Sequence, residues 1–432
     1  MPISAAAKRC EVNAAESPAA PRTQVNRRCA ELADAASASF NSPAPGTGAT
    51  AGLVEFLYAW SRHAGDADAE RAADRWLDVA LEQLATGHHQ PWWIGGLTGV
   101  AWSLRRALVL RGEDTGEFSQ PVDELLDTLL AAPEPRHEFD LILGSAGFGL
   151  YAAEHPDAGW RHRLGEAVVG HLEHLAKDDP AGRYWYTPVA LVPHHQQSEF
   201  PNGYRNLSLA HGTAGVIGAL ARLHLAGVAG ERTGMLLRDA TAWLMSQRTR
   251  APGDGNETAF VFANIADMPD VSRPLSWCYG DLGVSLALVA AGLALGDPAV
   301  RQFGTELALE CTARTGESSC VFDPGLCHGA AGAALIFHRF WQFSGQATFA
   351  EASEHWLQIA LEMRDDRFPE SAGVFCVRGG AGQRHADLSP LTGLAGVGLA
   401  ALGCVGGDQP GWDAPYLINI HSLIHSTDKD TE

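Results

Sequence analysis

Three short motifs, Ala210-His211-Gly212, Trp277-Cys278-Tyr279-Gly280 and Cys327-His328-Gly329, set two cysteines and two histidines directly ahead of glycines and apolar runs. Two cysteines and one histidine form a donor set that suits zinc. Three protein ligands leave a fourth position open, which is how a catalytic rather than a structural zinc site is built. Cys278 and Cys327 each lie two residues before their glycine and His328 follows directly, so these three are the candidate ligands of one zinc ion per chain. The chain reads as a zinc enzyme.

His211 lies one residue before Gly212 and one repeat further from the cysteine pair, and it is assigned to proton transfer rather than coordination. The ordinary pKa of imidazole is near the operating pH, which suits an acid or base. The competing reading is a histidine that caps a helix or is hydrogen-bonded inside the core. Asp140 stands four residues before Gly144 in Phe139-Asp140-Leu141-Ile142-Leu143-Gly144, an acid at the border of an apolar run. It is either a simple cap or the partner that orients His211 and stabilises its charged form.

These residues are far apart in the chain, so a repeating scaffold has to assemble them. A Gly-x-x-Gly pair followed by an apolar run recurs at Gly96/Gly99, Gly144/Gly147, Gly212/Gly215, Gly280/Gly283, Gly329/Gly332 and Gly393/Gly396. Between these pairs lie stretches apolar on one face only, such as Leu164, Val168, Leu172 and Leu175, or Phe349, Trp356, Ile359 and Met363. That spacing is one buried helix face. Asp297-Pro298 is the signature of an N-cap followed by proline at the first helical position. The runs after the glycines are apolar nearly all round. All-round and one-sided helices in alternation build a closed ring of helical hairpins, an inner layer sheathed by an outer one. The expected fold is therefore all-α, an α/α toroid over residues 51–432. Equivalent positions of adjacent hairpins are then neighbours at one end of the ring, which lets Cys278, Cys327 and His328 converge.

Residues 1–50 are rich in Ala, Ser and Pro and are expected to be a weakly ordered arm with a short helix around Cys29 to Ala36. With 46% hydrophobic residues the chain can bury a large core. A net charge of −20 makes nucleic acid and anionic lipid poor partners and favours a peptide or a cationic partner. No signal segment and no run of 18 apolar residues is present, so the expectation is no membrane span and a cytoplasmic location. In that reducing compartment Cys311, Cys320, Cys376 and Cys404 are expected to be small buried hydrophobes, whereas Cys10 and Cys29 carry no argument. His88-His89 and His194-His195 are assigned to surface loops, because adjacent histidines do not share a helix face. The stretch Arg378 to Gln383 lacks the lysine and Ser/Thr of a phosphate loop and is taken as a loop.

Together the Trp-Cys-Tyr-Gly, Cys-His-Gly and Ala-His-Gly motifs and the repeated glycine pairs resemble the lanthionine synthetase C-like family, from about residue 50 to the C-terminus. The resemblance implies a double ring of helices and a zinc ion on Cys278, Cys327 and His328. It also implies intramolecular addition of cysteine thiols of a precursor peptide to dehydroalanine or dehydrobutyrine, forming thioether rings. His211 and Asp140 match the family's acid/base positions and Tyr279 its motif tyrosine. The family arginine belongs four residues before the first zinc cysteine, where this chain has Pro274; Arg273, five before, is the nearest substitute. The chain has no long N-terminal region to house a dehydratase, so a separate dehydratase partner is expected beside a precursor peptide with its leader.

The residues support that chemistry on their own. A thiol with a pKa near 8.5 is mostly protonated at neutral pH, and coordination to zinc deprotonates it. The enolate left by attack on the β-carbon needs a proton at its α-carbon. His211 is the candidate donor, with Asp140 or a zinc-bound water as rivals. Two other readings remain. A non-catalytic zinc protein that captures glutathione or another thiol would need the ligands but not Asp140 and His211. A thiol alkyl transfer such as prenylation would need a carboxylate ligand, for which Asp281 and Asp323 are the nearest in sequence.

Overall fold

The computed structural model describes residues 19–41, 44–132, 138–192, 194, 197–198, 200–249, 258–260, 263–264, 275–378, 382–406 and 411–423. Fourteen helices run along the described chain: α1 (Ala19–Ala38), α2 (Thr47–Ala64), α3 (Ala67–Thr86), α4 (Leu97–Arg111), α5 (Gln120–Leu130), α6 (Ser145–Ala153) and α7 (Ala158–Leu175), followed by α8 (Thr213–Leu225), α9 (Gly230–Ser246), α10 (Asp281–Ala294), α11 (Pro298–Cys311), α12 (Ala330–Ser344), α13 (Ala347–Glu362) and α14 (Leu394–Cys404). The even-numbered helices form the inner ring and the odd-numbered ones its sheath. Each inner helix from α2 to α12 packs against the outer helix that follows it, and the inner series closes through contacts of α12 with α14 and of α14 with α2.

The sequence pattern reveals six of these inner helices. The seventh, α2, lacks the glycine pair and carries Gly48 and Gly52 instead. The outer partner of α14 comes from the other end of the chain: α1 packs on α14 and α2. Its buried face is Val25, Cys29, Leu32, Ala33 and Ala36, at helical spacing. The stretch expected to hold one short helix thus contains a full-length sheath helix, because without it α14 would present an apolar face to water. Helix α2 crosses the boundary expected at residue 50.

Two kinds of helix start distinguish the layers. Outer helices α3, α7 and α11 begin at Asp66, Asp157 and Asp297, whose carboxylates accept backbone N–H groups of the first turn. The inner helices begin at glycines with no side-chain cap. The preceding loop caps them instead. In α6 the N–H groups of Ser145, Ala146 and Gly147 donate to the carbonyls of Glu138, Phe139 and Asp140; in α12 those of Ala330, Ala331 and Gly332 donate to Asp323, Pro324 and Gly325. So tight a fold-back brings a loop carbonyl onto the second glycine of each pair. A Cβ on Gly283 would sit 2.2 Å from the Trp277 oxygen, and one on Gly332 1.9 Å from that of Leu326. The glycine repeat is therefore the steric signature of self-capping loops.

These loops line one end of the ring, its mouth, and are laced to one another. The N–H groups of Trp277 and Cys278 donate to the Cys327 carbonyl, and those of Leu326 and Cys327 to that of Leu391. Ala210 donates to Cys278, and Trp93 and Ile94 donate to Ile142. In every case the acceptor lies two residues before a first glycine. Equivalent positions are neighbours, as the ring argument requires.

Strands are short: β1 (Lys177–Asp179) with β2 (Gly182–Tyr184), β3 (Arg205–Asn206) with β4 (Ala263–Asn264), and β5 (Phe375–Arg378) with β6 (Gln383–Ala386), all antiparallel. Of the expected loop from Arg378 to Gln383, its two ends are partners at the end of the last pair, and residues 379–381 lie outside the described residues. No described helix is long and apolar enough to cross a membrane.

Candidate metal centre and acid–base pair

Cys278 ends the loop before α10, and Cys327 and His328 end the loop before α12. One ligand atom from each lies within 4.8 Å of the others. Among the described residues this is the one such group of three or more His, Cys, Asp or Glu side chains. The cysteines are held by their own backbones, through the lacing bonds, so the thiols converge without depending on each other. Gly280, with φ of 109°, lets the chain turn from Cys278 into α10 in a conformation that side chains disfavour.

The electrostatics of the cluster are those of a site prepared for a cation. A hydrogen bond from the Cys327 thiol, working with His328 against the cost of burial, holds Cys278 well below the ordinary thiol value. The same bond and burial push Cys327 well above it. Asp323 first, and Cys278 second, push His328 up to about 10. In this cluster the proton is favoured on Cys327 and His328 over Cys278. A divalent ion must displace protons from it, so binding weakens as pH falls.

Asp323 is the residue that sequence reasoning left without a place. It is fully buried, and it accepts from the Gly325 N–H at 3.0 Å, from the Val377 N–H at 3.3 Å and from His328 Nε2 at 2.9 Å. That bond leaves Nδ1 of His328 to face the cysteines. Asp323 is a second layer to the ligand set, not the carboxylate ligand a prenyl-transfer site would need. Asp281 is also disqualified, since its carboxylate turns away to accept from Ala259 and Phe260 at 2.9 and 3.0 Å. Burial pushes Asp281 up to about 6. A signal for Asp323 exists in the sequence: a polar residue stands six positions before the first glycine in Glu138, Asn206, Asp323 and Asp387.

Asp140 and His211 come together from the loops before α6 and α8. His211 Nδ1 lies 2.5 Å from Asp140 Oδ2, and the other carboxylate oxygen accepts from the Leu143 N–H at 2.6 Å. Asp140 therefore both folds its loop and partners the histidine. Burial lowers His211, but the bond and charge of Asp140 outweigh it and hold the imidazole above its ordinary value. Glu138, pushed up to about 7 by burial and then by Asp140, adds a carboxyl that the sequence reading missed. The ring of Tyr279 stacks on that of His211, 6.2 Å between centroids. Burial, then the neighbouring Cys278, raise its phenol.

Both constellations face one cavity of about 400 Å³, lined by His211, Cys278, Tyr279, Cys327 and His328. Phe322, 64% exposed, forms an apolar rim. Cys320 also lines it and is partly exposed, unlike Cys311, Cys376 and Cys404, which are buried as expected. Arg273 lies outside the described residues.

A double ring of helices with a Cys-Cys-His cluster and an Asp-His pair at its mouth defines an α/α toroid with a candidate metal centre. The chain belongs to the lanthionine synthetase C-like protein family, whose pattern it matches over residues 47–417. Its fold is similar to that of nisin cyclase, with a TM-score of 0.71 and 17% identity over 94% of this chain and 98% of that one. No curated protein matches the chain.

Replacing Asp323 with asparagine is expected to weaken zinc binding by about 10- to 100-fold, the usual cost of removing the acceptor behind a ligating histidine. Competition with a chromogenic chelator measures it. Unchanged affinity would show that the Asp323–His328 bond does not orient the ligand.

Proposed function

We propose that this chain is a zinc-dependent cyclase that adds cysteine thiols of a dehydrated precursor peptide to dehydroalanine or dehydrobutyrine, closing lanthionine or methyllanthionine rings. The observation that carries the reading is the shared cavity: in a chain of this family, a Cys-Cys-His donor set and the histidine of an Asp140–His211 pair line the same space.

The donor set fits zinc, with two thiolates, one imidazole and an open side toward the cavity. Cys278, Cys327 and His328 would hold the ion, and when bound it supplies the Lewis acidity that keeps a substrate thiol deprotonated at neutral pH. The protein's residues do the rest. The sulfur bonds to the β-carbon, the carbon–carbon double bond shifts to an enolate, and a proton must reach the α-carbon. His211, protonated through Asp140, faces the same cavity and donates it. The proton lost by the thiol balances the one gained at carbon. Tyr279 fixes the plane of the imidazole, and the apolar rim at Phe322 keeps competing water from the site.

A separate dehydratase supplies the dehydro residues, and the substrate carries a leader. The test is incubation of zinc-loaded protein with a dehydrated Ser/Thr/Cys peptide, thiol alkylation, and mass spectrometry to count free cysteines. Loss of alkylatable thiols with no change in peptide mass supports the cyclase. A protein that binds thiols in this cavity but closes no ring on any dehydrated peptide is a thiol-binding protein instead.

A further inference from the structure

A second cavity, of about 590 Å³, opens at the same mouth between α2, α4 and the loop before α14. It is lined by Ala51 on α2 and Val100 on α4, beside Gly48, Gly52 and Gly99, whose side-chain directions are closed by Gly95, Pro390 and the Trp93 carbonyl. On α2 the face continues to Glu55, seven residues from Gly48. At 1.5 Å per residue those two positions lie about 10 Å apart along the helix axis. Its floor is polar, formed by Glu55 and Ser103, whereas Trp92, Ile94 and Leu391 give it an apolar rim. The indole of Trp92 is 38% exposed, a large apolar surface held at the entrance.

Glu55 is buried at the end of the shaft with Arg106, whose Nε stands 3.7 Å from Oε1 and whose guanidinium lies over the Trp102 ring. Burial pushes Glu55 up to about 7 despite Arg106 and a bond with Ser103. Its carboxylate borders the cavity and gives a group that enters it a charged end to meet.

This shaft is tied to the first cavity on both flanks. Leu391 lines the shaft, and its carbonyl accepts from Leu326 and Cys327. Ile142 lines the first cavity, and its carbonyl accepts from Trp93 and Ile94 at the shaft's rim. A peptide with its thiol at Cys278, Cys327 and His328 can therefore extend along the mouth to the shaft.

We propose that the shaft between α2 and α4 is a second substrate subsite that takes a basic side chain, lysine or arginine, of the peptide whose cysteine occupies the metal centre. The aliphatic stem packs against Ala51, Val100 and Leu391, and the charged head reaches Glu55 and Ser103. The net charge of −20 favours such a peptide. The proposal rests on the cyclase reading for the identity of the ligand but not on turnover for its test.

The probes are acetyl-Cys-(Gly)n-Lys-amide peptides with one to four glycines, and their norleucine counterparts, titrated calorimetrically into the zinc-loaded full chain. The best lysine peptide is expected to bind about tenfold more tightly than its norleucine twin, the order of one partly desolvated charge pair. Glu55→Gln is expected to bring the two to equal affinity. Trp92→Ala, a change at the exposed rim that leaves the core intact, is expected to weaken both peptides severalfold. Equal affinity of lysine and norleucine peptides at all four spacings overturns the proposal, as does a lysine preference that survives Glu55→Gln. Failure of the cyclase reading would show separately, as absence of ring closure in the alkylation assay.

Discussion

Replacing Cys278 or Cys327 with alanine is expected to remove zinc from the protein and to slow ring closure by about 10³- to 10⁴-fold. The magnitude has two parts. A free thiol of pKa near 8.5 is only about 3% ionised at pH 7, so losing deprotonation costs about thirtyfold. Losing the fixed position of the sulfur costs on the order of 10²-fold more, the price of misplacing a reacting atom by about 1 Å. The fold should survive, because the lacing bonds at these positions use the backbone N–H and carbonyl of residues 278 and 327, which alanine keeps. Metal analysis, helical circular dichroism and the alkylation assay together check the prediction. A variant that stays folded, keeps a full equivalent of zinc and cyclises normally would remove these residues from the metal centre.

The self-capping loop explains why so much of this molecule was legible. The second glycine of each pair has a carbonyl six residues back pressed against its Cα, as with Gly283 on Trp277 and Gly332 on Leu326, so no other residue fits without moving the loop. A steric demand repeated around a ring writes itself into the sequence at each turn. Helix α2 escaped because its glycines answer different neighbours: a Cβ on Gly48 would meet Gly95, and one on Gly52 would meet Pro390. Helix α1 was underestimated because Ala- and Ser-rich composition suggests disorder, while its buried face depends on α14, whose sequence is more than 350 residues away.

The site divides along the same line. Cys278, Cys327, His328, His211 and Asp140 stood out as candidates because they are chemically reactive types close before a glycine, and the fold brings them to one mouth. Asp323 and Glu138 share a fixed offset of six residues, but what they touch depends on contacts across loops. Asp323 receives Val377 from a hairpin 54 residues further on, and Glu138 matters through the charge of Asp140 and its proximity to His211. Cys320, expected to be a buried hydrophobe, faces the cavity because it adopts a left-handed conformation, φ 52°, at the end of a short turn.

His211→Ala is expected to keep zinc and to lose about 10²- to 10⁴-fold in cyclisation rate, the usual contribution of a positioned general acid. The ligands lie on other loops, so removing the imidazole leaves Cys278, Cys327 and His328 in place, and metal analysis should find no change. Asp140→Asn is expected to act in the same direction. Asparagine can still accept from the Leu143 N–H, which preserves the loop, but it carries no charge to hold the imidazole protonated. The sign of the pH effect follows. An acid works while protonated, so the rate should fall as pH rises through the His211 pKa, which Asp140 holds above the ordinary imidazole value. Without that charge, burial dominates and the alkaline limb of the rate profile should move to lower pH. The two residues act as a unit, so the double variant should lose little more than His211→Ala alone. A His211→Ala protein that cyclises at the wild-type rate with zinc in place would put the acid elsewhere. An alkaline limb that does not move in Asp140→Asn would separate the carboxylate from the histidine it touches.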